Sequence, residues 1–202
     1  MSSCPHGPAV GSAPLGSLVA PVTGSPVAEE GQATLFIVRH GVAVARDRWS
    51  GADSYRPLTK KGRAQAAVLA DWIGEPITSI ATSPTLRCMA TVLALALRQQ
   101  VELSTRAALA VGRPEEAAHF ARSLLKHAGG VICSHGEVIP ALLSALGVCS
   151  TQPLDRCAKG SVWSIRRCGS ALHGDYHEPT PSAGPLTLTL TLTADLPGDP
   201  SG

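Results

Sequence analysis

Four side chains that suit the binding of an anion each follow closely on a short apolar segment: Arg39, His40, Arg87 and His135. A guanidinium group can donate two parallel hydrogen bonds to one phosphate, and an imidazole can act as a hydrogen-bond donor or as a nucleophile. Gly41 and Gly136 come directly after the two histidines and would let the backbone approach a ligand closely. These residue types predict an anion site, most simply a phosphate site.

The apolar segments that precede these side chains have the length of buried strands. Residues 34–38 are mainly β-branched or large and apolar, which is typical of a strand covered on both faces in a parallel sheet. Shorter apolar runs occupy 77–81 and 131–133, and segments with helical periodicity lie between the strands. The alternation predicts a three-layer α/β/α sandwich with a mostly parallel sheet. Since the carboxyl ends of parallel strands meet at one edge, the four side chains should converge there.

Boundaries within the predicted domain follow from local signals. We expect Thr59 to cap the first helix, Pro84 and Pro114 to open the next two, and Gly147 to end the last. Residues 101–103 are a candidate third strand, and two final strands flank the turn at 169–170.

The composition predicts one folded domain with a tail on each side. We place the domain at 33–177, a disordered Pro-, Gly- and Ser-rich tail at 1–32, and a Pro-, Thr- and Leu-rich tail at 178–202. The first tail contains no Lys or Arg, so it lacks the basic region of a signal peptide. Residues 186–193 alternate Leu and Thr with a strand period, and they could either extend a sheet edge or form an exposed adhesive segment.

Several classes of function are disfavoured by composition. The formal charge is only +2 and basic residues are not clustered, which argues against nucleic-acid binding. No apolar stretch reaches the ~18 residues of a membrane span. The six cysteines show no zinc spacing and read as reduced thiols, with Cys88, Cys133 and Cys149 in apolar runs, so we expect a cytoplasmic protein. No metal or other cofactor is expected, and four further histidines are interpreted as surface residues: His119, His127, His173 and His177.

Four sequence blocks resemble, in order and spacing, those of the histidine phosphatase superfamily, the phosphoglycerate mutase-like proteins. The blocks are RHG at 39–41, PLT at 57–59 followed by Gly62 and Gln65, SPTLR at 83–87 followed by Thr91, and SHGE at 134–137. The resemblance is to the SixA-type phosphohistidine phosphatase branch. Residues 157–163 add a likeness to the phosphatase half of some actinobacterial proteins that also carry a Nudix half. This chain has no Nudix box.

The resemblance implies a metal-independent phosphatase. His40 would be the nucleophile and would become a phosphohistidine, while Arg39, Arg87 and His135 would hold the phosphate oxygens. Gly41 and Gly136 would contribute backbone contacts to the substrate. The implied partner is a phosphorylated small molecule or a protein that carries phosphohistidine.

The sequence departs from the family pattern at the general acid. The family usually has an acidic residue between the second arginine and the second histidine, but residues 109–112 here contain none. Glu115 and Glu116 are possible general acids, although their types also suit the first turn of a helix. Asp47 and Asp53 are further candidates.

The missing acid bears on the substrate. A general acid typically contributes a factor of about 10²–10⁴, and it is needed most for a poor leaving group such as an alkoxide. Its absence favours phosphohistidine or nucleotide-type polyphosphates over ordinary phosphate monoesters. Two alternatives remain: a catalytically weak phosphate-binding module of the same fold, and a scaffold that recruits a partner strand through the Leu-Thr segment.

Overall fold

The computed structural model describes residues 34–127 and 129–179, in which strands and helices alternate. The elements are β1 Thr34–Arg39, α1 Lys60–Trp72, β2 Ser79–Thr82, α2 Leu86–Gln99, β3 Leu103–Thr105, α3 Pro114–Leu124, β4 Gly130–Ser134, α4 Ile139–Leu146, β5 Val148–Cys149, β6 Val162–Cys168 and β7 Ala171–His177. The Leu-Thr segment 186–193 and nearly all of both predicted tails lie outside the described residues, so those assignments stay predictions.

The strands form one mixed sheet in the order β3-β2-β4-β1-β6-β7-β5. Strands β1, β4, β2 and β3 are mutually parallel, which confirms the predicted α/β sheet around β1. Strand β6 is antiparallel to both β1 and β7. The backbone N–H of Arg39 donates to the carbonyl of Ser161 at 3.0 Å, so the chain re-enters the sheet at the carboxyl end of β1 and must run back along it.

Helices cover both faces of the sheet. Leu35 and Ile37 of β1 pack in a core with α3 and α4, whereas Phe36 and Val38 pack in a second core with α1 and α2. Successive side chains of a strand point to opposite faces, so an uninterrupted apolar run serves both cores. The three-layer sandwich predicted from the alternation of strands and helices is confirmed.

Some element boundaries differ from the prediction. Thr59 caps α1 as expected, because its hydroxyl accepts a hydrogen bond from the Gly62 N–H at 3.1 Å. Strand β3 begins at Leu103 and not at residue 101, because Gln100 takes a left-handed conformation with φ of 56° and closes α2. Helix α2 begins at Leu86, so Pro84 precedes the helix instead of opening it.

The short strand β5 was not predicted, since a two-residue strand shows no periodicity. It pairs in parallel with β7, and Cys149 is exposed there, which contradicts its assignment as a small core hydrophobe. The described helices include none that is long and apolar enough to cross a membrane.

Candidate functional site

Strands β1, β2 and β4 bring the predicted side chains to one edge of the sheet. The N–H of His40, just past β1, donates to the carbonyl of Ser134 at 3.1 Å. The N–H of Ser83, just past β2, donates to the carbonyl of Cys133 at 3.0 Å. We call the group formed by Arg39, His40, Arg87 and His135 the anion cradle.

The backbone and burial together set the protonation of His40. Its side chain is only 7% exposed, and Nδ1 lies 2.8 Å from the carbonyl oxygen of Gly41. A carbonyl oxygen can only accept a hydrogen bond, so Nδ1 carries the proton and Nε2 keeps its lone pair. Burial is the main cause that lowers the pKa of His40 from 6.5 to about 4. At neutral pH the ring is therefore neutral, with Nε2 available as a nucleophile.

His135 lies beside His40 and is held from behind. The two ring centroids are 5.4 Å apart and the ring planes are inclined by 68°. His135 is 1% exposed, and its Nε2 lies 2.8 Å from the Ser83 hydroxyl and 3.8 Å from the Cys88 thiol. These contacts fix the orientation of a ring that is almost wholly enclosed.

Arg87 is the second residue of α2, and only 4% of it is exposed. One terminal nitrogen, Nη1, donates to the carbonyl oxygen of Asp53 at 2.8 Å, and Nη2 lies 3.1 Å from the Asp53 carboxylate. Its Nε is buried and has no hydrogen-bond partner among the described residues. Buried donors are nearly always paired, so this nitrogen is an unusual, unused donor in the site.

Arg39 reaches across Gly136. Its Nη1 donates to the carbonyl of Cys157, and a Cβ at residue 136 would lie 2.7 Å from the guanidinium carbon. Only a glycine leaves room for the guanidinium in this position. The Nε of Arg39, like that of Arg87, is buried and lacks a partner within the described part of the chain.

Thr91 links two parts of the site. Its hydroxyl accepts a hydrogen bond from the Gly41 N–H at 3.0 Å and donates one to the Arg87 carbonyl at 2.7 Å. Thr91 thereby joins the turn after β1 to the first turns of α2. Ser83 and Thr91 stand in the matched block at 83–91, but the sequence alone did not reveal what either side chain contacts.

Gln65 and Gly160 brace the other side of this turn. The side-chain oxygen of Gln65 accepts from the Val42 N–H at 2.9 Å, and its amide nitrogen donates to the Lys159 carbonyl at 2.7 Å. The N–H of Gly160 faces the carbonyls of residues 39 and 40 at 3.1 and 3.2 Å. The turn that carries His40 is thus bonded to α1, to α2 and to the segment before β6.

The candidate acids are placed differently from one another. Glu115 and Glu116 are exposed in the first turn of α3, and Glu116 forms an ion pair with Arg113 at 2.9 Å. Within the described residues, neither glutamate forms a hydrogen bond or ion pair with the anion cradle, so their role as the acid stays a prediction. Asp47 is exposed in the 3-10 turn Arg46–Arg48.

Asp53 contacts Arg87 but does not suit proton donation. A hydrogen bond from Arg56 is the main cause that holds the pKa of the Asp53 carboxyl below its usual value, and the charge of Arg87 lowers it further. The group is therefore ionised at neutral pH.

The four predicted surface histidines differ in exposure. His119, His127 and His173 are exposed as predicted, whereas His177 is half-buried, with Nε2 2.9 Å from the Ser164 hydroxyl. The described residues contain no group of three or more His, Cys, Asp or Glu side chains that could hold a metal ion.

Comparisons with known proteins find similarity to one superfamily. The family model of the histidine phosphatase superfamily (branch 1) matches residues 35–110. An 8-oxo-(d)GTP phosphatase of Mycolicibacterium smegmatis is 38% identical over 158 residues, which cover 72% of this chain and 48% of the relative. The chain thus spans about half the length of this curated relative.

Solved structures share the fold at lower identity. The protein histidine phosphatase SixA, solved with tungstate, superposes with a TM-score of 0.57 at 20% identity, over 72% of this chain and 94% of SixA. A mutant phosphoserine phosphatase from Entamoeba histolytica, solved with phosphoserine, gives a TM-score of 0.58 at 14% identity, over 73% and 98% of the two chains. The segment that matches the family model carries three of the four cradle residues, so this part of the chain is similar to the histidine phosphatase superfamily (branch 1).

Proposed function

We propose that the protein is a phosphatase that needs no metal ion and works through a phosphohistidine on His40. The observation that carries the proposal is the contact of His40 Nδ1 with the Gly41 carbonyl, in a ring whose pKa burial lowers to about 4. These two features leave Nε2 unprotonated at neutral pH. A neutral imidazole nitrogen is the form that attacks phosphorus.

The reaction takes two steps. In the first, the Nε2 lone pair of His40 forms a bond to phosphorus, and the bond from phosphorus to the leaving group breaks, with its electron pair going to the leaving group. In the second, water attacks phosphorus, the N–P bond breaks, and inorganic phosphate departs. Arg39, Arg87 and His135 hold the oxygens on which charge is spread in both transition states, with backbone support at Gly41 and Gly136.

The substrate is inferred from the leaving group. Asp53 contacts the cradle through Arg87, but the pKa of its carboxyl group lies below the usual value, so we favour substrates whose leaving group departs without strong acid assistance. Phosphohistidine on a protein and nucleotide-type polyphosphates meet this condition. In support, SixA is a protein histidine phosphatase and the M. smegmatis relative is an 8-oxo-(d)GTP phosphatase. The proposed setting is the cytoplasm, where the free cysteines would stay reduced.

A substrate panel tests the proposal. Phosphohistidine peptides, nucleoside triphosphates and sugar phosphates would be compared with chelator present, using wild type, His40→Ala and the exposed control His119→Ala. We expect turnover that survives chelation, is inhibited by orthovanadate, is retained in the control and is lost in His40→Ala. Faster cleavage of sugar phosphates than of the other two classes would refute the substrate preference.

The missing acid also favours a second candidate, a binding module of the same fold. In that case wild type and His40→Ala would both bind orthovanadate, and neither would turn over any substrate of the panel. Binding without turnover would therefore reject the phosphatase in favour of the module.

A further inference from the structure

We propose that Asp53 is the positioning residue that fixes the guanidinium of Arg87 in the anion cradle. This inference rests on the proposed function and assigns a role to a loop residue that lies 34 positions before its partner. Asp53 contacts Arg87 through two separate groups, its backbone carbonyl and its carboxylate.

The two contacts hold one end of the guanidinium. The carbonyl oxygen of Asp53 accepts from Nη1 at 2.8 Å, and Oδ2 lies 3.1 Å from Nη2. A planar group held at two of its three nitrogens cannot rotate about its own axis. Nε is buried and remains without a protein partner in the described residues, so the contacts with Asp53 leave this donor of the guanidinium unused.

Asp53 is itself fixed from behind. Its Oδ1 accepts a hydrogen bond from Nε of Arg56 at 2.8 Å, and Nη1 of Arg56 donates to the Val44 carbonyl at 2.8 Å. The side chains of Arg56 and Asp53 are 14% and 30% exposed, so this chain of contacts is partly enclosed. Through Asp53 and Arg56, these contacts link Arg87 to the backbone of Val44, just beyond the turn that carries His40. By contrast, Arg46 lies 3.9 Å from Asp53 with 81% of its side chain exposed and contributes little.

The charges also favour positioning. An isolated guanidinium is costly to bury, and Asp53 supplies the opposite charge that Arg87 needs. One carboxylate shared by two enclosed guanidiniums leaves a net positive charge. The site therefore keeps its attraction for an anion while Arg87 is held in place.

The test compares Asp53→Asn with the matched control Asp71→Asn. Asp71 forms an ion pair with Arg98 between α1 and α2, and more than half of each side chain is exposed. For each protein, kcat and KM on the best substrate of the panel, the inhibition constant of orthovanadate and the thermal unfolding midpoint would be measured. We expect Asp53→Asn to weaken orthovanadate inhibition about tenfold to a hundredfold, the scale of one charge-assisted hydrogen bond, and to raise KM more than it changes kcat. Asp71→Asn should match wild type.

A second variant guards against misfolding of the first. Arg56→Gln keeps the Asp53 carboxylate but removes its support, so it should weaken orthovanadate inhibition in the same direction and by less. Tighter orthovanadate inhibition in Asp53→Asn would show that Asp53 competes with the anion. Unchanged inhibition would show that Asp53 is not needed to position Arg87. Either result overturns the role of Asp53 and leaves the proposed function standing. A wild-type protein that neither turns over nor binds orthovanadate would overturn the proposed function as well.

Discussion

At the scale of single residues, His40 shows how the fold selects one chemical form of a side chain. An exposed histidine exchanges between two neutral tautomers and a cation near neutral pH. Here the Gly41 carbonyl selects the tautomer, and burial disfavours the cation. Arg39 and Arg87 then add positive charge where an anionic substrate would bind.

The lowered pKa of His40 predicts an unusual pH profile. Catalysis needs the neutral ring, so kcat/KM should fall on acidification with a midpoint near 4, once substrate ionisation is accounted for, and not near 6.5. His119→Ala should show the same acid limb as wild type. A midpoint at the ordinary histidine value would contradict the enclosed geometry of His40.

The same shift has a consequence for stability. The unfolded chain binds a proton at residue 40 below pH 6.5, whereas the folded chain does so only below about 4. Stability should therefore decrease as the pH falls through this window, by about 3 kcal/mol in total at ~1.4 kcal/mol per pKa unit. The decrease should be smaller in His40→Asn, as measured by denaturant unfolding at several pH values.

The sequence was sufficient to predict the four cradle residues but not Asp53's contact. Each of the four lies at or beyond the carboxyl end of a buried strand of a parallel set, so the topology brings them to one edge of the sheet. Asp53 lies in an irregular loop whose path no periodicity determines. Its pairing with Arg87 therefore emerges only in three dimensions.

At the scale of secondary structure elements, helix α2 links Arg87, which follows β2, to the turn after β1 that carries His40. Arg87 and Thr91 are four residues apart and so lie on the same face of the helix. The Thr91 hydroxyl bonds to both the Arg87 carbonyl and the Gly41 N–H. Any shift of α2 would therefore move the His40 turn.

Replacement of Thr91 by valine tests this connection. The substitution keeps the shape of the side chain but leaves the Gly41 N–H without its partner, at a cost of about 1–3 kcal/mol of stability. We expect this loss in denaturant unfolding, together with a reduced kcat. Thr105→Val, at an exposed position in the edge strand β3, serves as the control and should change neither quantity. Full activity in Thr91→Val would show that the hydrogen bond from α2 is not needed to position His40.

The direction of the strands beside β1 could not be predicted from the sequence of β1. The apolar run of β1 predicts burial on both faces, but nothing in the run distinguishes a parallel neighbour from an antiparallel one. Strand β6 is antiparallel because the loop before it returns to the carboxyl end of β1, a path that depends on long-range packing. The α/β class was therefore predictable, and the antiparallel placement of β6 beside β1 was not.

At the scale of the whole molecule, two separate cores hold the cradle edge in place. Among the described residues, the α3 and α4 core and the α1 and α2 core lie on opposite faces of the sheet, with β1 contributing to both. The apolar side chains are mostly Ala, Leu, Ile and Val, as a chain with few aromatic residues requires. Stability should therefore depend on many medium-sized contacts.

Two leucines of α2 provide a matched test of this packing. Leu95 is fully buried, whereas Leu97 is 72% exposed two residues later. Leu95→Ala should destabilise the protein by about 2–5 kcal/mol because it leaves a cavity. The free energy of unfolding of Leu97→Ala should stay within about 0.5 kcal/mol of the wild-type value. Equal losses of unfolding free energy in the two variants, measured by chemical denaturation, would mean that the outer face of α2 is covered in solution.

The most direct test of the central claim is to trap the phosphorylated protein. Wild type would be mixed briefly with a substrate labelled at the transferred phosphorus, quenched in base and analysed for a label that is stable in base and lost in acid. We expect one labelled residue, His40, no label in His40→Ala, and a retained label in His119→Ala. Turnover in wild type without a labelled histidine, or a label that persists in His40→Ala, would contradict the central claim.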